Sequence, residues 1–287
     1  MFNKIKEEVS FPEFMKFVNI VGIYKGKGEK MDLKSERGIF IVNVIKSIFM
    51  KMVWSEVYEI LDLNMSDSNI GGRQKKNIRN HVFIINGIDN DVINGKAKPI
   101  DIEIIDYQQC FDSMWLSESI NDLYESGIQN ENLAIIHAAN EENLVNVKTP
   151  VGITSREVVE KIVMQGEVTG PGQCSNQVDT IGKECINESK LLYSYKDELG
   201  VPPLGMVDNI FAVSHCGHES VAMNAYLKQK TNIKRLQFGP DKCPQLHVGR
   251  DSEVCPELFI DTWKLAKRDE FKTGINNLVD VQENTHM

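Results

Sequence analysis

The chain has 287 residues, 41% of them hydrophobic and 25% charged, which suits one large or two modest globular domains and excludes a disordered chain, a collagen-like repeat and a coiled-coil rod. Its longest apolar stretch, Gly38 to Trp54, is broken by Asn43, Lys46 and Lys51, so no membrane-spanning helix is expected, and the start, MFNKIKEEVS, lacks the apolar core of a secretory signal. The net charge of −9 is uneven, +4 over the first 100 residues and −13 over the remaining 187, which fits polyanion contact in front and cation-binding carboxylates behind, or simply an uneven surface.

Taken in chain order, residues 13–30 read as a short strand and then a mobile loop in which Gly26 and Gly28 alternate with Lys25, Lys27 and Lys30. Residues 37–63 carry a mostly helical pattern. Asn69-Ile70-Gly71-Gly72 is a turn, and RQKKNIRNHVFIIN after it reads as a helix with a basic first half. Its Lys75, Lys76 and Arg79 suit template phosphates or, equally, solvent. Ile100, Ile102 and Ile104 alternate with Asp101, Glu103 and Ile105, the period of a strand, which ends at Asp106. Leu116, Ile120, Leu123 and Tyr124 follow helical spacing up to Gly127, a C-cap. A hairpin around Gly152 is expected over 144–164, a helix over 174–187, a second hairpin over 191–214, a helix over 218–231 and strands over 235–249. With 107–170 set aside, the order from Ile100 is β, α, β-hairpin, α, β, the split βαβ pattern of a ferredoxin-like fold with an antiparallel sheet and helices on one face.

Six cysteines, at 110, 174, 185, 216, 243 and 255, show no CxxC pair and read as reduced thiols of an intracellular protein. His215-Cys216-Gly217-His218 reads as a turn, because structural zinc needs four ligands and no companion cluster lies nearby. Asp208 sits in Met206-Val207-Asp208-Asn209 between two apolar stretches. In the expected topology its strand neighbours that of Asp106, so the two carboxylates would face each other at one edge. Such a pair suits Mg²⁺, which prefers oxygen ligands and keeps water and phosphate in its shell. Two strand-end aspartates can also be no more than that.

The order of the motifs adds a resemblance. Asp106-Tyr107-Gln108-Gln109-Cys110-Phe111-Asp112 resembles the first palm motif of reverse transcriptases, Met164-Gln165-Gly166 with Gly170 to Ser175 the second, Met206 to Asn209 the third, and Leu236 to Gly239 with Lys242-Cys243 and Leu246 to Gly249 the fourth. Upstream, Lys25 to Lys30 with Arg37-Gly38-Ile39, and Asn69 to His81, resemble segments of the non-LTR (LINE-like) retrotransposon enzymes. The resemblance implies an α+β polymerase right hand, with fingers over 1–99 and a palm over 100–250 that carries a fingers-side insertion around 113–160. Residues 251–287 would be a truncated connection towards a primer grip and thumb that do not follow.

It further implies an RNA-directed DNA polymerase that takes an RNA template, a DNA primer and deoxynucleoside triphosphates. Asp106 and Asp208 would hold two Mg²⁺ ions (or Mn²⁺) for in-line phosphoryl transfer. Phe111 would lie under the sugar and exclude a 2′-hydroxyl, and Lys25 and Arg37 would bind the triphosphate. Gln165 and Gly166 would approach the nascent base pair, and Lys242 would protonate the leaving pyrophosphate. Asn209 departs from the family, which has aspartate there. That change lowers the expected activity and leaves a catalytically inactive nucleic-acid-binding remnant as the alternative.

Overall fold

The computed structural model describes residues 1–29, 32, 35–107, 110–149, 151–159, 163–164, 166–187, 192–238, 243–249 and 264–265. Helix α1 (Phe2–Glu8) leads to strand β1 (Phe17–Tyr24), whose antiparallel partner is β2 (Glu36–Ile41). Asn43 then caps α2 (Val44–Asn64), its side-chain oxygen accepting from the Ile45 and Lys46 N–H groups that the helix leaves open. The cap explains a correction: residues 37–63 were expected to be mostly helical, but Arg37 to Ile41 stay extended and the helix starts only after Asn43. Asn77 caps α3 (Ile78–Ile93), so the basic run before it lies outside the helix, in contrast to the expectation.

Strand β3 (Ile100–Asp106) has the bounds its alternation predicts. There follow α4 (Cys110–Ser113), α5 (Leu116–Glu125), α6 (Asn130–Asn140), β4 (Asn143–Thr149), β5 (Gly152–Ile153), β6 (Glu157–Val159) and α7 (Gly170–Asn187). The stretch expected to form one hairpin over 191–214 forms two, β7 (Tyr193–Tyr195) with β8 (Leu199–Val201), and β9 (Leu204–Met206) with β10 (Asn209–His215). Helix α8 (His218–Ile233), β11 (Pro244–Val248) and β12 (Lys264–Leu265) complete the described chain. No helix among the described residues is long and apolar enough to cross a membrane.

The chain divides into two compact units, Met1–Met65 with Gln109–Gln177, and Ser66–Gln108 with Val178–Met287. In the first, the sheet order is β2-β1-β4-β5 with β6 also on β4, and β1 runs parallel to β4. A core of Ile5, Phe11, Phe49, Val53, Trp54, Leu123 and Ile135, among others, holds its helices. Within it Lys46 and Glu167 are both 1% exposed at the side chain, 3.8 Å apart. The Lys46 ammonium donates to Ala139 O at 2.5 Å and Asn143 Oδ1 at 3.1 Å, while neither Glu167 oxygen has a hydrogen-bond donor. Burial pushes the lysine down and the acid up, each towards its neutral form.

In the second unit the sheet runs β12-β11-β3-β10-β9, and β11, β3, β10 and β9 are antiparallel neighbours in turn. One side of β3, Ile100, Ile102 and Ile104, packs with Ile85, Ile88 and Val92 of α3. On the other side Asp101 and Glu103 are buried as well. Glu103 accepts from the Ser220 hydroxyl of α8 at 2.9 Å, Gln245 of β11 donates to the same hydroxyl at 2.8 Å, and Asp101 pairs with His247 at 2.8 Å. A polar layer thus lies between β3 and α8, and burial drives the Glu103 carboxyl well above its usual range.

Candidate active site

The β3–β10 register sets Asp106 directly opposite Asn209, and β9 meets β10 with Met206 opposite Asn209. Val207 and Asp208 are therefore the two residues of a hairpin turn, and Asp208 is one residue from the position facing Asp106. Directly opposed residues of an antiparallel pair lie about 4.5–5.5 Å apart at Cα, so both aspartates belong to one edge of the sheet. The turn holds Val207 at φ 50, in the left-handed region that β-branched side chains seldom adopt. A residue held this way costs on the order of 1–3 kcal/mol and persists only where its surroundings impose it.

Those surroundings are visible. Gly205 O accepts from Ile70 N–H at 2.9 Å and Gly205 N–H donates to Ser68 O at 2.9 Å, so the Asn69–Gly72 turn runs along β9 and braces the hairpin. A Cβ at Gly205 would come within 3.2 Å of Asn69 Cγ, a tight contact that glycine avoids. Arg73 binds this turn together, donating to Ser66 O at 2.7 Å and Asn69 O at 2.9 Å. On the other side of β3, Asp106 N–H donates to Cys243 Sγ at 3.4 Å, and the Tyr107 and Phe238 rings lie 6.0 Å apart between centroids. The bracing by Asn69, Arg73 and Cys243 was not read from the sequence, where these residues appeared only as parts of motifs.

The Asn209 amide donates to Asp208 Oδ1 at 3.2 Å. It contributes no charge, and it engages an oxygen that a cation would use. The donor set of two carboxylates and an amide is all oxygen on its accepting side, as a hard cation requires. Among the described residues no group of three or more His, Cys, Asp or Glu is gathered to hold a metal, so an ion here would complete its shell from water, backbone and phosphate oxygens, as Mg²⁺ commonly does. His215, at the end of β10, accepts from Ser194 N–H at 3.3 Å and lies against Tyr193.

Lys25, Arg37, Phe111 and Gly166 belong to the first unit. Arg37 lies opposite Ile23, and Lys25 N–H donates to Ser35 O at 2.8 Å, continuing the ladder. Lys25 and Arg37 therefore fall on one side of the β1–β2 ladder. Phe111, on α4, lies against the start of α7, where a Cβ at Gly170 would be 3.8 Å from its ring. Gly166 has φ 109, and a Cβ there would come within 2.7 Å of Phe40 O, so backbone approaches backbone where only glycine fits. Gln165 and Lys242 lie outside the described residues.

No protein-family model matches the sequence, and no curated protein does. Solved structures do. A Candida tropicalis telomerase in complex with a TWJ fragment of telomeric RNA aligns with a TM-score of 0.55 at 15% identity, over 85% of this chain and 44% of that one. The apo Candida tropicalis telomerase truncated from its C-terminal domain aligns with the same score and identity over 85% and 54%. A Candida albicans telomerase with a TWJ fragment aligns at 0.55 and 12% identity over 87% and 45%. The chain spans about half the length of the telomerase chains it matches. At such identity the likeness is one of fold: this is an α+β chain of reverse-transcriptase-like fold.

Proposed function

We propose that this chain is the fingers and palm of an RNA-directed DNA polymerase of the non-LTR retrotransposon kind. The observation that carries the reading is the β3–β10 register, which brings Asp106 and Asp208 to one sheet edge across a strained two-residue turn. The strand order β11-β3-β10-β9, antiparallel throughout, supports a ferredoxin-like palm. Asp106 and Asp208 are the residues that would hold Mg²⁺. Bound there, the ions would supply charge neutralisation for nucleotidyl transfer to a primer end.

The chain's own residues set the rest. Asp106 and Asp208 bring negative charge to the edge where cationic charge is needed. Lys25, as a point charge, and Arg37, as a planar two-donor fork, contact the triphosphate of an incoming deoxynucleotide. Phe111 lies under its sugar, a flat ring leaving no room for a 2′-hydroxyl, and Gly166 lets backbone approach the nascent pair. Gln165 shares that role and Lys242 protonates pyrophosphate, on the strength of the sequence resemblance alone.

A second reading, a nucleic-acid-binding remnant without activity, is favoured by one observation: Asn209 brings an uncharged amide that engages Asp208 Oδ1. The test is Mg²⁺-dependent primer extension on an RNA template, run beside Asp106→Ala. Feeble extension that Asp106→Ala abolishes supports the polymerase. Salt-sensitive binding of primer-template without extension, unaltered by Asp106→Ala, supports the remnant.

A further inference from the structure

Two cysteines that lie 64 residues apart in the sequence meet in the first unit, with the Sγ atoms of Cys110 and Cys174 3.0 Å from each other. That is closer than two unbonded sulfurs ordinarily rest. Cys110 is 3% and Cys174 0% exposed, so the contact is enclosed by protein. Cys110 opens the four-residue helix α4, and Phe111 is the next residue. Cys174 lies one turn beyond Gly170 on α7, so positions 170 and 174 share a helix face. The Phe111 ring meets that face at Gly170. The sulfur contact and the ring contact therefore join the same two helices side by side.

We propose that Cys110 and Cys174 form a modification site, a dithiol that an oxidant of the hydroperoxide class closes to a disulfide, pinning the segment that carries Phe111 to α7. The sulfurs need to close by about 1 Å to reach a bond of about 2.05 Å. In the first step one thiol gives up its proton and the thiolate attacks the O–O bond of hydrogen peroxide. The S–O bond forms, and the departing hydroxide takes that proton and leaves as water. In the second step the other sulfur attacks the sulfenic sulfur. The S–S bond forms, the S–O bond breaks, and the hydroxide leaves as water with the second thiol proton. Two thiols lose two electrons and two protons, and one peroxide becomes two waters. Burial slows the first step, because oxidant must enter by local opening of α4. It favours the second, because the resolving sulfur is already in contact. Cys185, buried and pushed up to about 12, is the internal comparison: a thiol kept protonated.

The dithiol stands without the polymerase reading, whereas its consequence for Phe111 rests on it, and the experiment separates the two. The full chain is treated with hydrogen peroxide, denatured, alkylated with iodoacetamide and mapped without reduction. The expected map contains a peptide pair joined through Cys110 and Cys174, two hydrogens lighter than the separate peptides and released by dithiothreitol, with Cys185 alkylated. Cys110→Ser should remove the joined pair and Cys185→Ser should keep it. Alkylation of both residues after peroxide, conversion of either to sulfinic acid, or linkage of either to another cysteine overturns the proposal. The map is read on the unaltered chain, so a variant that fails to fold does not obscure it. The ribonucleotide-to-deoxyribonucleotide ratio in extension is then compared between oxidised and reduced chain. A joined pair with an unchanged ratio keeps the modification site and removes Phe111 from the sugar.

Discussion

Replacing Glu103 by glutamine should stabilise this protein, by an amount that grows with pH. Glu103 is wholly buried on β3, and its Oε1 accepts from the Ser220 hydroxyl at 2.9 Å. The Ser214 hydroxyl and the Asn224 amide also face the carboxyl, and Asn224 Oδ1 is a buried acceptor with no donor among the described residues. A proton on the carboxyl keeps the buried group neutral and adds a donor that its neighbours can accept, and its loss leaves a buried charge. The carboxyl is held well above its ordinary value of 4.5, first by burial and then by Asp101, against the hydroxyl and amide groups that favour the charge. Between the ordinary and the raised value the unfolded chain has lost this proton and the folded one keeps it, so stability falls as pH rises. Below the ordinary value the contribution is fully present.

Glutamine is neutral at every pH and carries its own donor. Glu103→Gln should therefore gain roughly 1–3 kcal/mol at neutral pH, the cost of keeping the proton on the folded carboxyl above its ordinary value, with the gap widening by at most about 1.4 kcal/mol per pH unit. Urea titrations of both chains from about pH 5 to pH 8 read it directly, because groups shared by the two proteins cancel in the difference. A gap that stays flat with pH, or a glutamine chain less stable at pH 8, would refute the reasoning.

Two further substitutions set opposing effects against each other. Gly172 lies inside α7, where alanine gains about 1 kcal/mol of helix propensity, yet its Cβ would overlap the buried Trp54 ring, so Gly172→Ala should lose a net ~1–2 kcal/mol in urea titration; a raised midpoint would show that the ring moves freely. Lys46→Met strands the buried Glu167 carboxyl and should cost about 3–5 kcal/mol, whereas Lys46→Met with Glu167→Leu should recover most of it; equal losses in the single and double variants would contradict the pairing.

The alternation of Ile100 to Ile104 fixes β3 and its end at Asp106, because a two-residue period is a local property. The apolar stretches around Asp208 likewise place a turn between strands, and the register then follows. What lay beyond the sequence is what depends on cover. Nothing in β3 itself shows that α8 will lie over Glu103 and bury it. Ile39 to Ile41 carry apolar residues that suit helix or strand, and the division at Asn43 is decided by a cap whose oxygen could equally have met water. Two cysteines 64 positions apart carry no spacing signal at all. The Asn69 turn and Arg73 were legible as a motif but not as a brace, because the bonds to Gly205 come from the backbone of Ser68 and Ile70 and those of Arg73 go to backbone oxygens of its own turn.

Single-turnover incorporation of one deoxynucleotide, with saturating primer-template at fixed Mg²⁺, tests the central claim most directly when Asn209→Asp is compared with the unaltered chain and with Asn209→Asp carrying Asp106→Ala. Placing a carboxylate at the residue opposite Asp106 should add roughly 3–4 kcal/mol of transition-state stabilisation, about 10²–10³-fold in rate, with little change in template binding. Removing Asp106 should then abolish it. Equal rates for the unaltered chain and the Asn209→Asp variant would show the amide to be a competent neighbour of the metal. Incorporation that survives the loss of Asp106 would contradict the account.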